Sequence, residues 1–500
     1  MKVLFVYSDI SGQERYGARK YYSGIGSLSA VLKADGHETA LLYLQQELPR
    51  QAFLAEVDAA RPDLIAFSAT THQYPYIERY AEYLRAERPE LLRVIGGTHA
   101  TLVPEQVAAS PAFDVICVGE GEYPLRDLCR KLEEGGDFSH IENLWVRRKE
   151  GMGQALEGTY LPSALDRFWV RNPLRPLIAD LDELPFVDRD VFMYGSILKD
   201  NDGWVDIMAG RGCPYDCSYC CNPGLKRRYA GLGRYVRLRS VEHVLGELRA
   251  LAERYPIKTI NFQDDTFTLD KRWTLAFCQA YGASFDYPFW INSRVERLLD
   301  EDVVRALAEA GCAGVRIGIE NGDEELRRRV LKRTMSNQEI IAAFALMRRY
   351  GLKVYTCNMI GVPGETPQTI EATIELNRRL APEQFQFSVF YPYPMTELYD
   401  ICVAQGLIRP GVELSDYYSR ESVLNLPTLS EAELMRGYER FEALSAELAL
   451  KRASPAKHRL YRVLLKLYGG DGPRLQRHLD ALRRIRRHKR DTGHNSLIRE

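Results

Sequence analysis

The sequence predicts an α/β protein in three parts: an open, doubly wound parallel sheet, a partial β/α barrel, and a helical C-terminal region. Three observations carry this. Between residue 1 and about 140, short Val/Ile/Leu-rich runs alternate with helical-period segments, the pattern of strands buried on both faces. Six further strand-then-helix units follow between about 201 and 395. Residues 396–500 keep helical periodicity and gain charge.

In the first part the strands read Val3–Tyr7, Thr39–Leu44, Leu64–Ser68, Arg93–Gly96 and Val115–Val118. Amphipathic helices such as Tyr22–Asp35, Ile77–Ala86 and Tyr123–Glu134 lie between them. Right-handed crossovers turn that order into a flavodoxin-like sheet. Ligands of such sheets bind beyond the carboxyl ends of the strands. Those ends are small and polar here: Ser68-Ala69-Thr70-Thr71, Gly96-Gly97-Thr98-His99 and Gly119-Glu120-Gly121-Glu122. No GxGxxG follows the first strand, which argues against a dinucleotide. Residues 141–200, with Pro162, Pro173, Pro176 and Pro185, read as an ordered connector with few long elements.

The barrel strands read Val205–Met208, Thr259–Gln263, Phe289–Asn292, Gly314–Gly318, Val354–Ile360 and Phe385–Tyr391. Helices such as Val241–Arg254, Glu301–Ala310, Gln338–Tyr350 and Thr369–Leu380 separate them. Six units are too few to close an eight-stranded barrel. An open side therefore admits a large ligand, and chemistry belongs at the carboxyl ends of the strands.

Composition excludes some classes. The 500 residues are 45% hydrophobic with a net charge of −1, so no global field favours nucleic acid. There is no apolar run of membrane-spanning length, and the Met1–Tyr7 start reads as a strand rather than a leader. Ten Cys without regular spacing fit a reducing cytosol better than a disulfide framework. The last fifty residues carry 15 Lys/Arg against 4 Asp/Glu. Arg459–Tyr468 is amphipathic, and 483–490 reads Arg-Arg-Ile-Arg-Arg-His-Lys-Arg. Both a weak docking surface for anionic lipid or an acidic partner and a solvated helix with a basic tail fit that composition.

The chemistry concentrates in Gly-Arg-Gly-Cys-Pro-Tyr-Asp-Cys-Ser-Tyr-Cys-Cys, where Cys213, Cys217 and Cys220 fall within eight residues. Structural zinc wants four N/S ligands, and a 4Fe–4S cluster normally takes four Cys. Three thiolates with no fourth at comparable spacing read as a cluster with one iron left open. A zinc loop is the plainer alternative. Cys221 reads as a bystander, and Cys117, Cys129, Cys278, Cys312, Cys357 and Cys402 as buried thiols. Cys357 alone among these lies on a barrel strand near the site.

The CxxxCxxC spacing, with Tyr219 before its last Cys, resembles the signature of the radical S-adenosylmethionine (SAM) superfamily. The resemblance implies that the open iron chelates SAM and that the reduced cluster splits it to a 5′-deoxyadenosyl radical. Further matches fall at successive strand ends. Gln263-Asp264-Asp265-Thr266-Phe267 resembles a variant of the loop that meets the methionine amino group, with Asp265 and Thr266 as candidates. Asp264 reads as an N-cap for the next helix. Arg294 suits the methionine carboxylate. Gly318-Ile319-Glu320-Asn321-Gly322 implies Glu320 on the ribose, while Gly361-Val362-Pro363-Gly364-Glu365-Thr366 implies Gly361 and Val362 behind the adenine, which the Tyr219 backbone also meets. Tyr391-Pro392-Tyr393-Pro394-Met395-Thr396 is close to a Pro-x-Pro-Gly-Thr pattern with Met where Gly is usual.

The first 140 residues resemble the cobalamin-binding domain that precedes many radical SAM barrels, through Gly24–Leu28, Gly96–Glu105 and Gly119–Glu122. This implies cobalamin contacts from Ser68, Thr70, Thr71, Gly96, Gly97, His99, Gly119, Glu120 and Gly121. The DxHxxG pattern is absent, so binding without a His ligand is implied. His72 and His99 read more simply as surface or turn-capping residues. A domain that has lost the cofactor and merely covers the barrel is the bland alternative. The implied cofactors are a 4Fe–4S cluster, SAM and cobalamin. The implied activity is C-methylation of a small molecule or lipid, with an external low-potential donor such as a flavodoxin or ferredoxin. A cyclase or oxidase without net methyl transfer shares the architecture, and a non-catalytic carrier would lack the SAM contacts.

Overall fold

Two β-rich runs build a mixed seven-stranded sheet and an all-parallel six-stranded sheet, and strand ends of both border one cavity. The computed structural model describes residues 1–10, 19–148, 162–411, 420–469 and 471–479. The basic run 483–490 lies outside the described residues. Among them, no helix is long and apolar enough to cross a membrane.

The first sheet contains β1 (Lys2–Ser8), β2 (Glu38–Leu44), β3 (Leu64–Ser68), β4 (Leu92–Gly96), β5 (Val115–Cys117), β6 (Leu144–Arg147) and β7 (Trp169–Arg171). Its order is β2-β1-β3-β4-β5-β6-β7. The first five strands are parallel, as the flavodoxin-like reading requires. The connector supplies β6 and β7, which pair antiparallel and carry the sheet past residue 140. Alternate side chains of one strand enter two cores. Val3, Phe5 and Tyr7 meet Ile25, Leu32, Leu125 and Leu128 on one face. Leu4 and Val6 meet Phe53, Val57, Ile77 and Leu84 on the other.

The second sheet contains β8 (Trp204–Ile207), β11 (Thr259–Phe262), β12 (Phe289–Ser293), β13 (Cys312–Glu320), β14 (Lys353–Ile360) and β15 (Gln384–Val389). Its order is β15-β14-β13-β12-β11-β8, and every pair is parallel. The short ribbon of β9 (Gly210–Arg211) and β10 (Arg237–Leu238) stands apart. Helices sheathe the outer face, each started by a side chain that takes a backbone N–H: Ser240, Asp270, Asp300, Ser336 and Thr366. Such caps contribute about 1 kcal/mol each. Beyond β15 the helix Glu431–Ala453 continues the sheath, with Leu434, Phe441, Leu444 and Leu448 packed on Ile360, Ile374 and Val389.

The two sheets are joined by a partly buried ionic clamp. Glu120, just past β5, accepts from Arg211 Nη1 (2.9 Å) and from both terminal nitrogens of Arg237 (2.9 and 3.0 Å). It also takes the Ile178 N–H of the connector (2.9 Å). Arg211 reaches on to Glu122, which takes the Ser27 hydroxyl. The Glu120 N–H donates to the Tyr229 hydroxyl at 2.8 Å. A Cβ on Gly119 would sit 1.8 Å from that oxygen, so only glycine fits there. Elsewhere the connector's Arg189 is buried between Tyr21 and Tyr194 and donates to Glu247.

The clamp yields a first prediction. Glu120→Ala leaves the buried Arg237 guanidinium without its carboxylate, while Arg211 keeps Glu122, a loss of about 3 kcal/mol. The urea midpoint of the variant falls accordingly; a midpoint equal to that of the wild type contradicts the assignment.

Candidate functional site

The cysteine loop runs from β9 to the helix Asn222–Arg228. Cys213 and Cys217 are buried, and Cys220 is partly so. The loop is pinned from the far side of the lumen. Ser218 donates to Val330 O (2.5 Å), and Ser218 O accepts from Leu398 N (2.9 Å). Polar hydrogens point at the sulfurs. Arg294 Nη1 donates to Cys217 Sγ at 3.2 Å, and both the backbone and amide N–H of Asn222 reach Cys220 Sγ at 3.5 Å. The adjacent Cys221 thiol lowers the Cys220 pKa. Among the described residues no three His, Cys, Asp or Glu side chains gather as ligands of one ion. A tetrahedral zinc needs thiolates about 2.3 Å from one point. A cluster takes one thiolate per iron and so suits wider sulfur spacing.

Asp264 is not the helix N-cap; Asp270 fills that role. The buried Asp264 carboxylate instead takes the Ala209 N–H (3.0 Å), tying the end of β11 to the start of the cysteine loop. Burial pushes its pKa up to about 7. Asp265 accepts from Asn222 Nδ2 at 3.1 Å. The Thr266 hydroxyl donates to Asp265 O (2.8 Å) and lies 4.0 Å from Cys213 Sγ. Arg294 is already engaged: it pairs with Glu296 (2.7 Å) and lies 3.7 Å over the Tyr215 ring.

Glu320 ends β13 at a register shift against β14 and has a left-handed φ of 67°. Such irregularities re-aim side chains beside active sites. The carboxylate folds back over Gly318, where a Cβ would come within 2.1 Å of Oε1. That oxygen accepts from Tyr219 OH at 3.0 Å, with Arg333 at 3.8 Å. Among the described residues no donor reaches Oε2, which leaves it free for a ligand hydroxyl. Burial raises the Glu320 pKa. Arg333 also donates to Tyr219 OH and Gly318 O, and its buried Nε has no partner.

After β14, the fully buried Glu365 takes the N–H groups of Gly361 and Val362 on Oε2 and Asn321 Nδ2 on Oε1 (2.7 Å). Burial pushes its pKa up to about 8. Met395, in the position where Gly is usual, adopts the left-handed φ of 65° that glycine favours. Burial pushes the Cys357 thiol up to about 12, so it stays protonated.

One cavity of about 530 Å³ begins at the strand ends of the first sheet and reaches the cysteine loop. Phe5, Ala66, Val94 and Leu125 line its apolar end; Cys221, Asn222 and Asp265 line the other. A space of this size takes a sizeable organic ligand. Of the predicted cobalamin contacts, Ser68, Gly96, Gly97, Gly119, Glu120 and Gly121 border it. Thr70, Thr71 and His99 do not. Thr70 bonds Gln73 (3.1 Å) and Thr71 meets His99 (3.3 Å). His99 packs on Tyr74 at 4.2 Å, and burial lowers its pKa to about 4. His72 crosses to the barrel rim instead, 2.6 Å from Tyr393 OH. Neither histidine lines the cavity.

Sequence reasoning missed Asn222, Arg333, Arg211, Arg237 and Tyr229. Asn222 directly follows the Cys pair, and its place at the start of a Pro-containing helix is the one local signal among them. Arg333 lies 114 residues from the tyrosine it meets, so no local pattern announces it.

Comparison with known proteins agrees with this geometry. Residues 207–376 match the radical SAM superfamily and residues 21–129 match the B12 binding domain. An uncharacterized methyltransferase of Pyrococcus horikoshii is 28% identical over 77% of this chain and 79% of its own. The anaerobic magnesium-protoporphyrin IX monomethyl ester cyclase of Rubrivivax gelatinosus is 23% identical over 80% of this chain and 69% of its own. The fold is that of the radical SAM methyltransferase TsrM from Kitasatospora setae, solved with cobalamin and a [4Fe-4S] cluster. There the TM-score is 0.64 at 18% identity, over 87% of this chain and 85% of the other. The cofactors that go with these two domains are a 4Fe–4S cluster, SAM and cobalamin, and the donor sets and cavity described above fit them. The chain therefore carries a radical SAM domain over residues 207–376, preceded by a B12 binding domain over residues 21–129.

Proposed function

We propose that this protein is a cobalamin-dependent radical SAM C-methyltransferase acting on an unactivated carbon of a small molecule or lipid. The observation that carries the reading is the continuous cavity running from the first sheet's strand ends to Cys221, Asn222 and Asp265. It puts room for a corrin beside the cysteine loop. The methyltransferase of Pyrococcus horikoshii supports methyl transfer. Residues 1–140 would supply the cobalamin contacts and residues 201–395 the SAM site.

When bound, the cluster supplies the electron that cleaves SAM, and cobalamin supplies a methyl carrier. The protein's own residues position and shield. Cys213, Cys217 and Cys220 ligate iron, and the N–H groups of Asn222 offset charge on the Cys220 thiolate. Asp265 and Thr266 face the ligand's ammonium. Arg294, held by Glu296 and Tyr215, presents a fixed cation to its carboxylate. Glu320 offers Oε2 to the ribose, and Arg333 keeps that buried carboxylate oriented. Gly361 and Val362 form the adenine wall, while Glu365 fixes their peptides. A low-potential flavodoxin or ferredoxin fits as donor.

A second reading, oxidation or cyclisation without net methylation, is favoured by the likeness to the Rubrivivax gelatinosus cyclase. Products separate the two. With cofactors reconstituted anaerobically, methyl transfer yields both 5′-deoxyadenosine and S-adenosylhomocysteine, whereas 5′-deoxyadenosine alone selects the second reading. Replacing any one of Cys213, Cys217 or Cys220 with Ala abolishes both products; retained SAM cleavage removes that residue from the ligand set.

Glu365 gives a pH signature. Its carboxyl moves from a usual 4.5 to about 8 in the fold. Its contribution to stability is therefore full below about pH 4.5 and is lost as pH rises through about 8. Glu365→Gln carries no such titration. The stability of the variant relative to the wild type rises between about pH 5 and pH 8 in urea melts; a constant difference contradicts the burial of that carboxyl.

A further inference from the structure

The helix Pro455–Leu467 presents its apolar side outward. Tyr461 is buried, and His458 and Arg462 turn toward Glu447 on the helix Glu431–Ala453 at 3.5 and 3.4 Å. On the opposite side Leu460, Val463 and Leu467 are 60%, 56% and 76% exposed. Their i, i+3, i+7 spacing makes one stripe. They are three of the eight large hydrophobic side chains exposed among the described residues, so exposure is concentrated here rather than scattered. A contiguous apolar stripe on a surface marks a contact site.

Charge identifies what covers it. Residues 455–467 contain Lys457, His458, Arg459, Arg462 and Lys466 and no Asp or Glu. Lys457, Arg459 and Lys466 flank the stripe, are exposed, and pair with no carboxylate among the described residues. A second copy of this chain would bring the same cations against them. An acidic polar surface would satisfy the cations and leave the leucines in water. A negatively charged bilayer surface satisfies both, with acyl chains for the stripe and phosphates for the cations. The 483–490 run adds charge of the same sign in sequence.

We propose that this helix docks the protein on an anionic lipid surface, with Leu460, Val463 and Leu467 inserted among the headgroups and Lys457, Arg459 and Lys466 on the phosphates. The test is flotation of the full-length protein with vesicles of phosphatidylcholine alone and of phosphatidylcholine with ~30% phosphatidylglycerol, at low and high salt. Binding to the anionic vesicles only, weakened by salt, is expected. The triple variant Leu460→Ser, Val463→Ser, Leu467→Ser loses at least about ten-fold in partitioning with an unchanged far-ultraviolet dichroism spectrum. Lys457→Gln, Arg459→Gln, Lys466→Gln together lose a similar amount, while a chain ending at residue 479 keeps most of the binding. Undiminished flotation of the serine variant overturns the proposal, as does complete loss in the shortened chain alone. A wild-type dimer that the serine variant dissolves, read by light scattering, assigns the stripe to self-association and overturns it too.

Discussion

One carboxylate between two guanidiniums sets the geometry on which the rest depends. Glu120 stands at the end of a strand in the first sheet, and Arg211 and Arg237 belong to the short ribbon that launches the cysteine loop. Fixing these groups fixes the distance between the two ligand-bearing faces. Buried ion pairs add little net stability over apolar packing, but they define position sharply because half a pair is costly. Here the positional role is the useful one: a cavity shared by two domains keeps its shape only if the domains cannot slide.

The same economy recurs inside the barrel. Several ionisable groups are buried and bonded to other elements: Asp264 to the Ala209 amide, Glu320 to Tyr219 and Arg333, Glu365 to Asn321 and to two amides of its own loop. None of these pairs is local in sequence beyond Glu365 and its own turn. Each joins two strand ends, so the rim of the barrel is laced by polar side chains rather than by backbone. Oε2 of Glu320 is left over after the lacing, and that residual capacity is what a ligand hydroxyl can use.

Much of the fold was legible in the sequence because strands buried on both faces spell continuous Val/Ile/Leu runs and the helices between them keep a helical period. The antiparallel β6 and β7 were not seen, since the Pro-rich stretch around them masks short strands. At the site, the three cysteines, Tyr219, Glu320 and the Gly361–Glu365 turn stood out because they sit in compact motifs. Arg333, Arg237 and Tyr229 did not: their roles arise from contacts 114, 117 and 109 residues away. The Gly119–Glu122 motif borders the cavity, and its acidic side chains also tie the two sheets together, a second role that spacing cannot express.

Among the described residues β8 and β15 lie at opposite ends of the six-stranded order. No ring of hydrogen bonds therefore fixes the circumference of the lumen; packed helices hold it instead. A related protein could gain or lose residues along that seam and accept a bulkier or slimmer molecule without breaking a ladder. Diversity of accepted molecules is thus built into the architecture at the place where change disturbs it least.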